Sequence, residues 1–472
     1  MKSKEMDMTT GNLAKKIIIF ALPVMLSSII QLLFNACDLV VIGQFSGDNS
    51  LAAVGSTGAL INLIINMFIG VSVGANVICA RAIGNKDMEK AQRCVHTAIT
   101  FSFIAGIILT IFGIFAAREC LILMDTKDEC LDKATLYVQI YFGGMIFNML
   151  YNFGSAILRS VGETRKPLYF ITAAGIINAG LNLLFVIVFK MDVAGVALAT
   201  IISQAISAVL VFICLTRKTG YVNLNIKKLR IHGLELKEMI FNGLPAGIQG
   251  SLFSISNVFI QKAVNSFNIT AIVSGNTASS NVEGFIYQSM NSFYQACISF
   301  TSQNFGAKNK KNCKKVLIYC QMFAVLTGVI LGGIVLIFKD QFLGFYTSNQ
   351  EAINYGVQRI VIICTTYYLC GIMDVFVGGM RGLGYSVVPM IVSIMGACVF
   401  RIVWIHTIFA ANHTLFILYI SYPISWLLTS LIHFISYIIV YRKIKFEPDN
   451  GCLLYTSPSP RDSTSSRMPS SA

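Results

Sequence analysis

One acidic residue, Asp38, lies inside the first long apolar segment of the chain, close to two amide residues. Gln31, Asn35 and Asp38 are four and three residues apart, so a helix would place all three on one face. An ionisable side chain at the centre of a bilayer costs roughly 2.5–3.5 kcal/mol on insertion scales, which favours a functional reason for its presence. A carboxylate beside amide oxygens can accept a proton or coordinate a hard cation such as Na+. The alternative is a carboxylate that only hydrogen-bonds a neighbouring helix.

Polar residues of later apolar segments could complete an oxygen-lined pocket around this carboxylate. Asn178 and Asn182 are one helical turn apart on a single face, and the other candidates are Tyr137, Asn152 and Thr200. Each of these residues alone is better explained by an interhelical hydrogen bond. Together they could form a proton relay or a sodium site, whose ligands would be Asp38, Asn178, Asn182 and Thr200.

The second half of the chain carries a different set of ionisable residues in its apolar segments, namely Glu283, Asp374 and Arg401. Arg401 needs an acidic partner at its depth, and either Asp374 or Glu283 could supply it, so either acid could be purely structural. Pro23, in the helix that carries Asp38, removes a backbone hydrogen bond and is a candidate hinge.

The amino-acid composition indicates that most of this chain lies in a lipid bilayer. Of its 472 residues, 55% are hydrophobic and 12% are charged, with a mean hydropathy of +0.69, whereas soluble domains carry about 25% charged residues. The apolar runs are continuous and reach the roughly 20 residues of a spanning helix, which predicts helices rather than a barrel. The net charge of +14 lies in short clusters between these runs, a pattern typical of membrane-protein loops and not of nucleic-acid binding. Neither a metal-binding spacing nor a nucleophile motif is present, so we expect neither an enzyme nor a bound cofactor.

Twelve apolar segments predict a polytopic protein of the cell membrane. Basic clusters, such as Lys308, Lys310 and Lys311, follow the even-numbered segments, so the positive-inside rule predicts that both termini are cytoplasmic. The segments are centred near Leu26, Ile65, Ile104, Phe147, Asn178, Ser203, Ser251, Met290, Thr327, Leu369, Gly396 and Trp426.

The chain contains an internal repeat. Four separated regions recur with one spacing of 222 residues, the difference between positions 245 and 23. The recurring pairs are Pro23 and Pro245, Asn35 and Asn257, Gly84 and Gly306, Arg159 and Arg381, Gly162 and Gly384, and Pro167 and Pro389. This predicts an all-α fold of two pseudo-symmetric six-helix bundles, with lobes at 1–220 and 221–447.

The last residues have a different character. Residues 452–472 read CLLYTSPSPRDSTSSRMPSSA, a Pro- and Ser-rich sequence unlike the rest of the chain. One interpretation is a disordered tail. The other is translated sequencing adapter, because the segment matches both ends of a transposon-type adapter in one reading frame. We therefore leave it out of the functional argument.

The spans resemble those of the prokaryotic multidrug and toxic compound extrusion (MATE) family over about residues 10–445. The resemblance is carried by LPVMLSSIIQLLFNACDLVVIG, LAAVG, ILRSVGETRKP, AGVALATIISQ and GGMRGLGYSVVP. It implies two bundles in a V shape that alternates between the two faces of the membrane, and export of cationic, often aromatic compounds in exchange for H+ or Na+. We separately expect a monomer. The resemblance also implies that Asp38 is the coupling acid and Pro23 the associated proline. The implied pocket consists of Gln31, Tyr137, Asn152, Asn178, Asn182 and Thr200.

Two departures from the family pattern affect this expectation. Asn182 stands where many members have a second acid, and the acid that some members carry in the seventh span is absent. The main alternative function is that of a lipid-linked oligosaccharide flippase of the same superfamily. Such flippases usually need cationic groups for a pyrophosphate, whereas the polar residues predicted in the first half are acidic and amide-bearing, which favours small organic cations.

Overall fold

The computed structural model describes residues 6–46, 48–124, 126 and 128–444. These residues are almost entirely helical, and no strand occurs among them, which confirms the predicted all-α fold. The segment at 452–472 lies outside the described residues. The first lobe contains α1 (Leu13–Phe45), α2 (Asp48–Gly84), α3 (Met88–Leu123), α4 (Asp128–Gly143), α5 (Met145–Ser160), α6 (Arg165–Leu183) with a π-helical turn (Leu184–Val188), and α7 (Asp192–Arg217).

The second lobe repeats this order. Its elements are α8 (Gly233–Asn265), α9 (Thr270–Gly306), α10 (Lys310–Ile337), α11 (Lys339–Gly344), α12 (Gln350–Thr366), α13 (Tyr368–Gly382), α14 (Val387–Ser393), α15 (Phe400–Trp404) and α16 (Leu415–Lys443). The helices α14 and α15 are joined and extended by π-helical segments, Ile394–Val399 and Ile405–Phe409.

Twelve rods result when α4–α5, α12–α13 and α14–α15 are each taken as one rod and the short α11 is left aside. Eight of the described helices, with their π-helical extensions, are long and apolar enough to cross a bilayer, and the pair α12–α13, bent by 48°, adds a ninth. The rods formed by α4–α5, α8 and α9 carry more polar residues. Polar side chains of α5, α8 and α9 line cavities within the molecule, which explains their lower hydropathy.

The repeated glycines are explained by the contact between the lobes. A Cβ atom on Gly84 would overlap the carbonyl oxygen of Gln303 and lie 2.8 Å from its carbon. A Cβ atom on Gly306 would overlap the carbonyl oxygen of Arg81 in the same way, at 2.9 Å from its carbon. Because the two contacts are related by the 222-residue spacing, α2 and α9 cross on a pseudo-twofold axis. The repeated Gly162 has φ +76°, just past the end of α5, and its mate after α13 has φ +89°.

The lobes are joined at the end of the molecule that carries the basic loops, which we call the basic end. Interlobe hydrogen bonds extend from Ser251 Oγ to the Leu63 carbonyl oxygen (2.9 Å), near mid-height, to Met8 N and Gln303 Oε1 (3.2 Å) at this end. The first turns of α1 also pack on the second lobe, where Phe20 meets the ring of Phe300 edge-on at 5.6 Å. The cleft between the lobes therefore opens toward the end opposite the basic loops.

Candidate cation-coupling and substrate sites

Asp38 contacts α6 and α7 through the predicted amides and hydroxyl. Asn182 Nδ2 donates a hydrogen bond to the Asp38 carboxylate and another, of 3.3 Å, to Asn178 Oδ1. Asn178 Nδ2 in turn donates to Thr200 Oγ1 at 3.5 Å. Both asparagines are buried, whereas Asp38 is half-buried. We call these four residues the N-lobe carboxylate cluster.

The local sequence of α6 brings this cluster together. Gly175 lies against the ring of Phe34, and a Cβ atom at this position would overlap the ring. The missing side chain lets α6 approach α1, so that Asn182, two turns later, reaches Asp38. The helix changes to π-helical geometry at Leu184, directly after the cluster. Such π-turns occur frequently at functional sites.

One polar atom of the cluster has no partner. Asn182 Oδ1 is buried and accepts no hydrogen bond from the described residues. Buried acceptors are normally satisfied, so this oxygen is a candidate ligand for Na+ or, after rotation of the amide, a candidate acceptor for a protonated carboxyl group. The described residues contain no cluster of three His, Cys, Asp or Glu side chains. Any cation bound here would therefore meet one carboxylate together with amide and hydroxyl oxygens.

Tyr137 lies beside the cluster on α4. Its ring is buried and stacks on Tyr141 at 6.1 Å, and both hydroxyl groups are close enough to interact electrostatically with Asp38. Sequence reasoning missed Tyr141, although it is one helical turn after Tyr137 and the spacing could have suggested it.

Gln31 and Asn152 lie elsewhere. They line a cavity of about 350 Å³ between the lobes, which we call the central cavity. Asn152 Nδ2 donates to Asn148 Oδ1 at 2.9 Å. Asn35 is exposed on α1. Pro23 is accommodated within a continuous helix, and its carbonyl oxygen accepts a 2.8 Å hydrogen bond from Ser27 Oγ, so its role as a hinge stays a prediction.

The repeated arginines face the central cavity. Arg159 and Arg381 both line it, and its lining contains no Asp or Glu from the described residues. Arg381 donates to the Tyr294 hydroxyl group and to Gln249 Oε1, the latter at 2.8 Å. The repeat had singled out both arginines, but a repeat alone could not show that they line a cavity.

A second cavity, of about 540 Å³, lies in the second lobe and contains all three predicted ionisable residues of that lobe. We call it the C-lobe cavity. Glu283 forms a bidentate ion pair with Arg359, with distances of 2.8 Å to Nε and 2.7 Å to Nη2. Arg359 Nη1 also donates to Asn276 Oδ1 at 2.7 Å.

This arrangement corrects the expectation that Glu283 or Asp374 pairs with Arg401. Glu283 pairs with Arg359 because α12 packs directly on α9, where Asn276 and Glu283 are two turns apart and can bind one guanidinium group. Arg401 Nε instead donates to Ser425 Oγ at 2.9 Å, and no ion pair of the described residues includes Arg401. Asp374 interacts electrostatically with Tyr287 and Arg381. A single sequence gives no signal for the contact between Glu283 and Arg359, which are separated by 76 residues.

Twelve helical rods in two lobes, with polar cavities along a cleft open at one end, define a multi-pass membrane transporter. The MatE family model matches residues 23–184 and 245–407, two matches whose starts are 222 residues apart, and the chain belongs to this family. It is 26% identical to the "Probable multidrug resistance protein YpnP" of Bacillus subtilis, over 84% of this chain and 89% of that protein. It is also 26% identical to "Probable multidrug resistance protein YoeA" of the same organism, over 90% and 93%.

Solved structures of the family share the fold. A structure described as the "Outward-facing conformation of a multidrug resistance MATE family transporter of the MOP superfamily" superposes with a TM-score of 0.87 at 21% identity, covering 94% of this chain and 99% of that one. The predicted architecture of two six-helix bundles in a V is thereby confirmed. Family membership makes this chain a multidrug-type efflux transporter, for which small organic molecules are the expected substrates.

Proposed function

We propose that this protein is a secondary active exporter that exchanges cationic, often aromatic compounds for inward H+ or Na+ by alternating access. The observation that carries the proposal is the placement of Asp38, a half-buried carboxylate in an apolar helix that accepts a hydrogen bond from Asn182 on α6. The names of relatives as multidrug resistance proteins support the substrate class. The first lobe then supplies the coupling carboxylate, and the cleft supplies the path for the substrate.

The geometry suggests how ion and substrate would compete. An ionised Asp38 accepts the amide hydrogen of Asn182 and attracts an organic cation in the cleft. A protonated Asp38 must donate its own hydrogen, and rotation of the Asn182 amide would present the unpartnered Oδ1 as acceptor. Either a proton or Na+ at this position cancels the charge that attracts the drug. Mutual exclusion of ion and drug at one carboxylate is the linkage that an antiporter requires.

One observation favours a second candidate function. Arg159 and Arg381 line a central cavity whose lining contains no acid from the described residues. Guanidinium groups bind phosphate oxygens with matched geometry. A lipid-linked oligosaccharide flippase would use such a pair for its pyrophosphate, so this function is kept as the alternative.

An efflux assay separates the two functions. In cells that lack their own pumps, we expect the chain to lower the accumulation of a fluorescent organic cation, and Asp38→Asn to abolish the effect. The matched control is Asp132→Asn, because Asp132 is an exposed acid that pairs only with exposed Arg118 among the described residues. Rescue of a flippase-deficient strain without dye efflux would instead establish the second function.

A further inference from the structure

The C-lobe cavity contains two guanidinium groups, of which only one is neutralised. The positive charge of Arg359 is neutralised by Glu283 through the bidentate ion pair. Its guanidinium carbon also lies 5.3 Å from the ring centroid of Tyr422. Arg401 approaches the same ring, at 4.1 Å. Two cations therefore share one aromatic ring. Among the described residues only the Glu283 carboxylate bonds either of them, and both of its oxygens accept from Arg359.

Among the described residues, Arg401 has polar and aromatic neighbours but forms no ion pair. The residue is 7% exposed, so its charge is largely removed from bulk water. Beyond Ser425 and Tyr422, its guanidinium group meets the ring of Trp426 at 5.6 Å. Arg401 Nη2 is buried and has no hydrogen-bond partner among the described residues. A buried cation without a counter-charge is unfavourable, and aromatic faces compensate only part of the cost.

The remaining acid of this cavity does not neutralise Arg401. Asp374 lines the cavity, but it interacts electrostatically with Arg381 of the central cavity and with Tyr287. Apart from the bidentate ion pair, the cavity is thus lined by one anionic side chain, Asp374, and by one cationic side chain, Arg401, whose charge no described residue neutralises. Aromatic walls accompany both, formed by Tyr287, Tyr367, Tyr422 and Trp426.

We propose that Arg401 is an anion subsite of the substrate path and that the C-lobe cavity takes aromatic zwitterions. The carboxylate of such a compound would bind the guanidinium group of Arg401, its rings would stack on Tyr422 and Trp426, and its cationic group would face Asp374. The cavity volume of about 540 Å³ lies within the range of small-molecule sites. The inference rests on the proposed export function and assigns to Arg401 the recognition of a carboxylate in the substrate.

Two dyes that differ by one ester test the inference. Rhodamine 123 is the methyl ester of rhodamine 110, so only the latter presents a free carboxylate. We would measure the binding of both dyes to the purified full chain by fluorescence anisotropy. Arg401→Gln removes a charge-assisted hydrogen bond to the carboxylate. It should therefore weaken the affinity for rhodamine 110 by about tenfold or more and change the affinity for rhodamine 123 by less than about twofold. The control is Arg118→Gln, which removes an exposed arginine and should alter neither dye.

A second variant covers the case in which Arg401→Gln does not fold. Arg401→Lys keeps the charge but not the bidentate geometry. It should weaken the binding of rhodamine 110 to an intermediate extent and leave the binding of rhodamine 123 unchanged. Equal losses of both dyes, or no loss of rhodamine 110, in a folded variant would overturn the inference.

The parent protein separates this inference from the export proposal. Binding of rhodamine 123 without rhodamine 110 would refute the anion subsite and leave cation export standing. Binding of rhodamine 110 without rhodamine 123 would support the subsite and contradict the cationic substrate class.

Discussion

Replacement of Gly247 by alanine should move the two lobes apart where α8 meets α2, one helical turn from the Ser251–Leu63 contact toward the basic end. Gly247, on α8, packs against the backbone of Met67 on α2 without a side chain between them. An added Cβ would lie 2.7 Å from the Met67 Cα atom and 2.8 Å from its carbonyl carbon. Carbon atoms in favourable contact are about 3.5–4.0 Å apart, so the helices must separate by about 1 Å. The clash is with backbone, which no rotamer change can relieve.

The size of the effect follows from this clash. Overpacking of a well-packed contact costs about 1–3 kcal/mol. The cost applies to the state in which α2 and α8 are in contact, and it disappears when the lobes separate there. A free-energy change of this size alters the ratio of the two states by about 5- to 150-fold. The population open at the basic end should rise accordingly.

Spin labels report this shift directly. Positions 89 and 311 are both exposed at the basic end, one on each lobe, and are related by the 222-residue spacing. With one label at each position, Gly247→Ala should increase the fraction of long interlobe distances. The control is Gly250→Ala on the same helix, where the nearest atom to an added Cβ is Asn66 Cβ at 3.5 Å, an ordinary contact. Unchanged distances for Gly247→Ala, or equal shifts for both variants, would refute the reasoning.

Three further predictions concern other parts of the molecule. Glu283→Gln should lower the free energy of unfolding by about 3–5 kcal/mol, because it leaves Arg359 buried and unpaired. A second change in the same chain, Arg359→Met, should restore much of the melting temperature. An unchanged melting temperature for Glu283→Gln alone would contradict this prediction. Gln303→Ala should favour the state open at the basic end, because Gln303 accepts from Met8 N of the first lobe's N-terminal segment and donates to the Ser160 carbonyl oxygen at 2.8 Å; spin-label distances identical to those of the parent would contradict it. Truncation after Asn450 should leave expression and efflux unchanged in the dye assay, whereas loss of either would show that the tail is part of the protein.

The sequence predicted those features that depend on local pattern. Apolar runs predicted the rods, because a helix in lipid satisfies its own backbone hydrogen bonds. The 222-residue spacing predicted the two lobes, and the structure adds why glycine recurs at 84 and 306, where two helices meet backbone to backbone. The spacing of Asn178 and Asn182 correctly placed both on the face of α6 that meets Asp38 and Thr200.

Features that depend on contacts between distant segments could not be predicted in this way. Arg359 lies in an apolar stretch of α12, and only the packing of α12 on α9 shows that it takes Glu283 away from Arg401. The central cavity brings Arg159 and Arg381 together from equivalent positions of two lobes. The repeat in the sequence shows that the two arginines occupy equivalent positions, but it does not show that they lie close together.

The most direct test of the coupling proposal is transport by purified protein in proteoliposomes, with a pH gradient and a sodium gradient imposed separately. The parent should drive a fluorescent organic cation against its concentration under at least one of the gradients. Asp38→Asn should reach the membrane and bind dye yet lose gradient-driven transport under both, whereas Asp132→Asn should transport as the parent does. Gradient-driven transport by Asp38→Asn equal to that of the parent under both gradients would contradict the account and move the search for the coupling residue to Glu283 and Asp374.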